Sequence, residues 1–392
     1  MSDQQKSDQR KNVAVLGSTG SIGRSAAEVF TACSDRLRPV ALTAHRRVPE
    51  LAEQARRLQP RYVVISDEEA AAGVARQMFP ADTRLLVGEA GLAQVVALPE
   101  VDVVLAAIVG RAGLESTWAA VEAGKTIALA NKETLVMAGP LVTKLAERSG
   151  SEILPVDSEH SAVFQALRSG RRHEVRRIIL TASGGPFLNY TLAELADVTV
   201  DDALAHPTWD MGPKITVDSA TMMNKALEIV EARWLFDLSP EQIDVVIHPQ
   251  SIVHSLVEFV DGSVVAQMSP PDMKLPIQHA LTWPDRIEGA APRLDLTDPV
   301  RLDLHPPDLD RFEALRLGHE AARAGGTAGA VLNAANEAAV AGFLAGDLPF
   351  AEITTACRSV LEHHDFDPAP SLADLSAIDR WAREEVSRWV CT

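Results

Sequence analysis

The chain has 392 residues, 46% of them hydrophobic and 23% charged, which is enough apolar material for two or three domain cores. Its formal charge of −17 argues against nucleic acid or an anionic membrane as a partner, because both need a basic face to neutralise phosphates. Cys33, Cys357 and Cys391 are too scattered for a zinc site or a disulfide framework, which points to a reducing cytosol, and no apolar run approaches the roughly 18 residues that a bilayer demands. The expected location is cytoplasmic.

Residues 1–11 are polar and charged, without the apolar core of a secretory signal, and read as a disordered tail. From Asn12 the sequence NVAVLGSTGSIGRSAAEVF predicts a short apolar strand, a glycine-rich turn and a helix. Gly17, Gly20 and Gly23 fall between strand and helix, where glycines permit a tight turn and close backbone approach to a pyrophosphate on the helix N-terminus. The spacing GxxGxxG varies the common dinucleotide pattern, and its strand–turn–helix placement is what gives it weight. The next strand, residues 39–43, runs into His45-Arg46-Arg47, where an NAD-binding fold often carries an acid. A basic cluster there pairs instead with a 2′-phosphate and predicts NADP; a basic start to the next helix is the alternative.

Apolar strands follow at residues 62–65, 84–87, 101–106, 126–129 and 153–156, separated by Ala-rich helical stretches. That alternation predicts a parallel sheet covered on both faces. Ligands bind at the carboxyl ends of such strands, so Asn131, Lys132 and Glu133 would line the nicotinamide side unless they merely open a helix. Asp157 and Glu159 lie two residues apart at the end of a strand, and would share a face if the strand persists that far. Two carboxylates on one face repel unless a hard cation such as Mg²⁺ or Mn²⁺ sits between them; a solvated loop end is the alternative.

Strand 178–181 leads into Ser183-Gly184-Gly185, a hydroxyl and two amides suited to an anion, or an ordinary turn. Segment 201–213 holds His206, Trp209, Met211 and Gly212, with prolines that oppose a regular element; it reads as a lid over a ligand or as a loop on the core. In VDSATMMNKALEIVEARWLF, Asp218 or Ser219 would cap a helix, and Asn224, Lys225 and Glu228 would present an amide, an ammonium and a carboxylate on one face. That set suits a third metal carboxylate beside donors for phosphate; Glu231, one turn on, is the rival carboxylate, and a surface ion pair is the plain alternative. Beyond it, strand 245–247 and a hairpin through Asp261-Gly262 predict a mixed sheet fit for a dimer contact, with His248 and His254 as structural hydrogen-bonders. A proline-rich stretch and an Ala-rich helical tail close the chain. The organisation expected is α/β: residues 12–156 a Rossmann-type NADP-binding domain, 157–282 a central α/β catalytic and dimerisation domain with a mixed sheet and a flexible loop at 205–213, 283–308 a linker, and 309–392 a C-terminal helical bundle.

The motifs GSTGSIG from Gly17, Ala130-Asn131-Lys132-Glu133, Val156-Asp157-Ser158-Glu159-His160, Ser183-Gly184-Gly185-Pro186-Phe187, His206-Pro207-Thr208-Trp209 and Asn224-Lys225-Ala226-Leu227-Glu228 together resemble the 1-deoxy-D-xylulose 5-phosphate reductoisomerase family over nearly the whole chain. The resemblance implies a homodimer that converts 1-deoxy-D-xylulose 5-phosphate to 2-C-methyl-D-erythritol 4-phosphate with NADPH and Mg²⁺ or Mn²⁺. It implies that Asp157, Glu159 and Glu228 bind the metal, with Lys132 close by, which selects Glu228 over Glu231. Ser183, Ser219, Asn224 and Lys225 would hold the substrate phosphate near His206, Ser158 and Ser251 would face its hydroxyls, and Trp209 and Met211 would belong to a closing loop. Gly17, Ser18, Thr19, Gly20, Ser21 and Ile22, with His45, Arg46, Arg47, Asn131, Glu133 and Gly212, would surround NADPH. One departure is evident: the family's Gly-Lys-Asn type of turn is His45-Arg46-Arg47 here, which keeps the positive charge. The glycine turn alone would serve another dehydrogenase or a non-catalytic NADP-binding regulator equally well; neither needs three carboxylates.

Overall fold

Continuous apolar runs such as Val13–Leu16 bury both faces of a strand, and parallel strands covered by helices are the arrangement that satisfies them. The computed structural model describes residues 10–209 and 211–390; residues 1–9 of the expected tail, Asp210 of the expected loop and Cys391 lie outside the described residues. The chain forms two compact units, the first reaching to Thr134 and including Val142–Ser161 and Asp272–Pro292, the second comprising Leu135–Leu141, Ala162–Pro271 and Arg293 onward.

In chain order the early elements are β1 (Lys11–Leu16), α1 (Ser21–Ala32), β2 (Leu37–Ala44), α2 (Val48–Leu58), β3 (Tyr62–Ile65), α3 (Glu68–Ala72), β4 (Arg84–Val87), α4 (Gly88–Val96), β5 (Val103–Ala106), α5 (Leu114–Glu122), β6 (Thr126–Leu129), α6 (Glu133–Ser149), β7 (Ile153–Pro155) and α7 (Ser158–Ala166). The seven strands form one parallel sheet in the order β4-β3-β2-β1-β5-β6-β7. The order in which successive strands are added switches sides between β1 and β5, the crevice where such folds bind dinucleotides. Pro39 cannot donate to a ladder, and the β1–β2 register slips beside it.

The later elements are β8 (Val175–Ala182), α8 (Leu192–Leu195), α9 (Val200–Leu204), α10 (Pro213–Ala220), α11 (Met223–Leu235), β9 (Ile243–Ile247), β10 (Val253–Phe259), β11 (Val264–Met268), α12 (Lys274–Thr282), α13 (Ala314–Ala324), α14 (Ala328–Ala345), α15 (Glu352–His363) and α16 (Leu372–Val390). A mixed sheet of order β11-β10-β8-β9 pairs β8 with β9 in parallel and its other neighbours antiparallel. The hairpin turns at Asp261-Gly262 as its sequence demands, with Gly262 at φ 86. Val175, Ile178, Leu180 and Val257 of this sheet join Met223, Leu227 and Val230 of α11 and the buried residues of α13–α16 in one core.

The α/β class is the expected one, but three local expectations change. The strand ends at Pro155, and Asp157 and Glu159 belong to the start of α7 rather than to one face of a strand. Asp218 and Ser219 do not cap α11; they sit in the last turn of α10, and the chain reverses through left-handed Met222 at φ 63 before α11 begins. The span 201–213, expected to be irregular throughout, contains most of α9 and the first residue of α10. One helix, α14, is long and apolar enough to cross a membrane, which the reading of apolar runs did not anticipate because small alanines carry its hydropathy. It is 67% buried within the protein, as the core helix of a bundle is.

Candidate active site

In the first unit the turn after β1 is tied down before any ligand is considered. The Gly17 amide donates to Thr43 Oγ1 at 2.9 Å, and Ser18 donates to the Thr43 carbonyl from its backbone at 2.8 Å and its hydroxyl at 3.1 Å. Gln54 Nε2 donates to the Ser18 carbonyl at 2.8 Å, and Arg24 and Arg47 both donate to the Thr19 carbonyl, at 2.9 and 3.3 Å. Gly17 adopts φ +79, and a Cβ there would stand 2.7 Å from the Ala107 carbonyl at the end of β5. Gly23 lies so close to the turn that a Cβ would meet the Ser18 carbonyl at 2.2 Å. Gly20 is the N-cap of α1, Ser21 and Ile22 open that helix, and Ser18 and Thr19 are buried. The structure therefore brings the glycine motif to a bare helix N-terminus. His45, Arg46 and Arg47 follow β2 and are exposed.

Farther along the same sheet, Asn131 is buried and spends its amide on the loop itself: Nδ2 donates to the Gly110 carbonyl at 3.0 Å and to Glu133 Oε2 at 2.9 Å, while Oδ1 accepts from the Thr134 amide at 3.1 Å. Lys132, also buried, occupies the N-cap position of α6 and sends Nζ to Asp157 Oδ2 at 2.5 Å. Asp157 in turn accepts the Ser161 amide on its carbonyl at 2.8 Å, and Ser158 Oγ donates to Glu159 Oε2 at 2.5 Å. Asp157, Ser158 and Glu159 are each half-buried.

In the second unit, β8 ends in Ser183, with Gly184 at φ +86 and Gly185 at φ +66. A Cβ on Gly185 would sit 2.7 Å from the Ser219 carbonyl, so the strand end and α10 are pressed together. Ser183 Oγ accepts from the Gly185 amide at 3.2 Å and lies 3.0 Å from His206 Nε2. His206 Nδ1 accepts from the amides of Thr208 at 3.1 Å and Trp209 at 2.9 Å. That pattern assigns the proton to Nε2, which donates to Ser183, and makes the ring neutral. Burial lowers the His206 pKa from its ordinary value, in agreement. The Trp209 ring lies 6.3 Å from the His254 ring of β10, Met211 is half-buried, and Gly212 is the exposed N-cap of α10.

Beside this cradle runs α11. Glu228 is fully buried and Lys225 nearly so. Asn224 Nδ2 donates to Glu228 Oε1 at 2.6 Å and Lys225 Nζ to Oε2, so the trio is one hydrogen-bonded cluster and not a solvated surface pair. Glu231 is buried on the same helix. Ser251 adopts φ 50, a strained conformation for a residue with a side chain, in a turn held from behind by His248. His248 Nδ1 bonds the Asp303 carbonyl at 2.8 Å, and Nε2 accepts the amides of Ile252 and Val253 at 3.1 Å each. His248 thus acts as the structural hydrogen-bonder expected.

Family models described as 1-deoxy-D-xylulose 5-phosphate reductoisomerase match residues 13–139, and as its C-terminal domains residues 153–236 and 268–385. The chain belongs to that family. The reductoisomerase of Pelotomaculum thermopropionicum is 52% identical, over 95% of this chain and 97% of its own, and that of Rhodopirellula baltica 49% identical, over 95% and 93%. A crystal structure of DOX-P reductoisomerase in complex with NADPH, fosmidomycin and magnesium superposes with a TM-score of 0.91 at 42% identity, covering 97% of this chain and 98% of that one. The Zymomonas mobilis reductoisomerase in complex with NADPH gives 0.88 at 44%, covering 97% and 99%.

Several supporting residues of the chain escape a reading by motif. Thr43 and Gln54 brace the glycine turn from β2 and α2, where nothing local marks them. Asp218 is buried, accepting from Asn336 Nδ2 at 2.7 Å and Lys214 Nζ at 2.8 Å, and so pins α10, which carries Ser219, to α14. The sequence marks Asp218 as a candidate helix cap, not as the buried anchor it is.

Gly23→Ala is expected to cost about 1–3 kcal/mol by overpacking against the Ser18 carbonyl, measured as a lower urea midpoint; an unchanged midpoint would show that the turn yields freely. The neutral form of His206 contributes stability that is complete above the ordinary histidine pKa of about 6.5 and declines as pH falls below it. Hydrogen exchange at the Thr208 and Trp209 amides, corrected for intrinsic rates, should therefore speed up between pH 7.5 and 5, and should be fast at both pH values in His206→Ala. Protection that ignores both changes would remove His206 as the anchor of this loop.

Proposed function

We propose that the chain carries out the NADPH- and divalent-metal-dependent rearrangement and reduction of 1-deoxy-D-xylulose 5-phosphate to 2-C-methyl-D-erythritol 4-phosphate, in non-mevalonate isoprenoid synthesis. The observation that carries the reading is the buried cluster of Asn224, Lys225 and Glu228 in a chain of this family. The residues fit the cofactor: the glycine turn, packed too tightly at Gly17 and Gly23 for a side chain, leads into a helix N-terminus without a side-chain cap, and a basic cluster follows β2. They also fit a hard cation, since Asp157, Glu159 and Glu228 offer carboxylate oxygens alone. Bound there, Mg²⁺ or Mn²⁺ supplies Lewis-acid polarisation of a carbonyl and its neighbouring hydroxyl, and NADPH supplies hydride.

The chain's own residues do the rest. Lys132, held by Asp157, keeps an ammonium at the carboxylates, where it neutralises charge and donates to substrate oxygens. Asn224 and Lys225 aim Glu228 and, with Ser183, Ser219 and His206, grip the phosphate; that grip is remote from the reacting carbons and orients them. Ser158 and Ser251 face the hydroxyls. Trp209 and Met211 shed water from the bound substrate, and Gly212, Asn131 and Glu133 belong with the glycine turn and His45, Arg46 and Arg47 on the cofactor side. In functional terms residues 12–156 carry the cofactor, 157–282 the chemistry and the dimer contact, 283–308 connect, and 309–392 support.

A homodimer is supported by the mixed sheet: its face opposite the core carries Ile179, Val246 and Leu256, half-buried, and Val264, Ala266 and Met268, exposed, an apolar surface of the kind that pairs with another copy. Cytoplasmic location is supported by Cys33 and Cys357, which are buried free thiols.

Glu228→Gln should lower turnover by at least about a hundredfold while leaving NADPH affinity within about twofold, as should chelation of the metal. NADPH oxidation and NADPH fluorescence titration read the two quantities, and an active Glu228→Gln would strike Glu228 from the ligands. Leu256→Glu should shift the protein from dimer to monomer in sedimentation; a dimer that survives would place the contact elsewhere.

A further inference from the structure

Where β2 ends, the three basic residues do not behave alike. Arg47 turns back to the glycine turn and donates to the Thr19 carbonyl at 3.3 Å. Arg46 reaches sideways to the end of the neighbouring strand β3, where its Nε meets Asp67 Oδ2 at 2.6 Å. His45 goes the same way, with Nδ1 3.0 Å from Ser66 Oγ and Nε2 3.6 Å from Asp67 Oδ2. Asp67 does not depend on Arg46 for its place. Its Oδ1 accepts the Ala70 amide at 2.8 Å as the N-cap of α3, its carbonyl accepts the Ala71 amide at 3.0 Å, and the Ser66 amide bonds the Ala44 carbonyl at 2.9 Å, locking the two strand ends together. The Ala70 amide first, and Arg46 second, hold the Asp67 carboxyl below its ordinary pKa, so the charge is permanent near neutral pH. Its side chain is only 9% exposed, whereas that of Arg46 is 68% exposed.

An acid beside the adenosine ribose is the device by which NAD-binding folds favour a free 2′-hydroxyl, and it repels a 2′-phosphate. Here that acid stands one strand over, and its outward oxygen is capped by Arg46. Asp67 is met by Nε, and a guanidinium carries four further N–H donors in the same plane with which to meet a second anion.

We propose that Asp67 is a specificity-determining residue for the cofactor, silenced by Arg46: the arginine both screens the fixed carboxylate and, held by it, presents its far edge to the 2′-phosphate. This rests on the assignment of the 2′-phosphate to the end of β2. Arg46 therefore acts twice, and its loss exposes a charge that rejects the phosphate.

Calorimetric titration of the full chain with adenosine 2′,5′-bisphosphate and with 5′-AMP separates the phosphate from the rest of the cofactor. Arg46→Ala should weaken the bisphosphate about thirtyfold and leave 5′-AMP unchanged, while Arg46→Ala with Asp67→Asn should recover about tenfold of that loss and Asp67→Asn alone should shift it less than about threefold. Asn and Ser both cap helices, so Asp67→Ser repeats the test in a second background, and unchanged 5′-AMP binding certifies the fold of each variant. A double variant no better than Arg46→Ala would overturn the proposal and leave the 2′-phosphate assignment standing. An Arg46→Ala protein with unaltered bisphosphate binding would overturn both.

Discussion

A carboxylate taken out of water must be met by a cation or by hydrogen-bond donors, and this requirement governs both halves of the chemistry. Glu228, with none of its surface exposed, is met by Lys225 and Asn224 from its own helix. Asp157 is met by Lys132 from the start of α6. Such pairs are poor investments in stability, since well-packed apolar residues of the same volume often do as well. Their retention inside α11, among Met223, Leu227 and Val230, is therefore a sign of chemistry. The same rule explains Asp218, whose Lys214 and Asn336 partners hold in place α10, the helix that carries Ser219 and precedes the left-handed N-cap Met222 of α11.

In the first unit the governing constraint is steric. Two places in the glycine turn have no room for a side chain, one against β5 and one inside the turn, and both follow from bringing a helix N-terminus within reach of a pyrophosphate. The hydrogen bonds to Thr43 and from Gln54, Arg24 and Arg47 tie the turn down before the cofactor arrives, so little conformational entropy is left to lose on binding. The turn after β8 in the second unit is packed in the same way, with Gly185 against the Ser219 carbonyl.

The strands of the parallel sheet were legible because all are short runs rich in β-branched and aliphatic residues, most of them buried, between helical stretches, and the hairpin because Asp-Gly between two apolar runs supplies the glycine that its left-handed position needs. The cluster on α11 was legible because helical spacing brings positions 224, 225 and 228 together whatever lies around them. Asp157 and Glu159 were assigned to the wrong element. The period of a strand was extended past Pro155, although Asp157 followed by Ser158 and Glu159 is also an N-cap signal for a new helix. Left-handed Met222 carries no signal, since methionine has no preference for that conformation. Asp218 with Asn336, His248 with Asp303 and Arg46 with Asp67 join positions far apart in sequence, and only the fold brings them together.

His206 shows how two features that look separate in sequence act as one. Its Nδ1 holds the amides of Thr208 and Trp209, while its Nε2 proton goes to Ser183 in the anion cradle. A phosphate entering that cradle offers a stronger, charged acceptor than a serine hydroxyl. The Nε2–H bond can be redirected to such an acceptor without disturbing Nδ1, so the ring can change partners and still hold the Thr208 and Trp209 amides. Protonation of Nδ1 would do the opposite, adding charge toward the phosphate but releasing both amides. The burial that lowers the His206 pKa thus favours the bonds to both loop amides over a second positive charge, and under the proposed function the charge for the phosphate falls to Lys225.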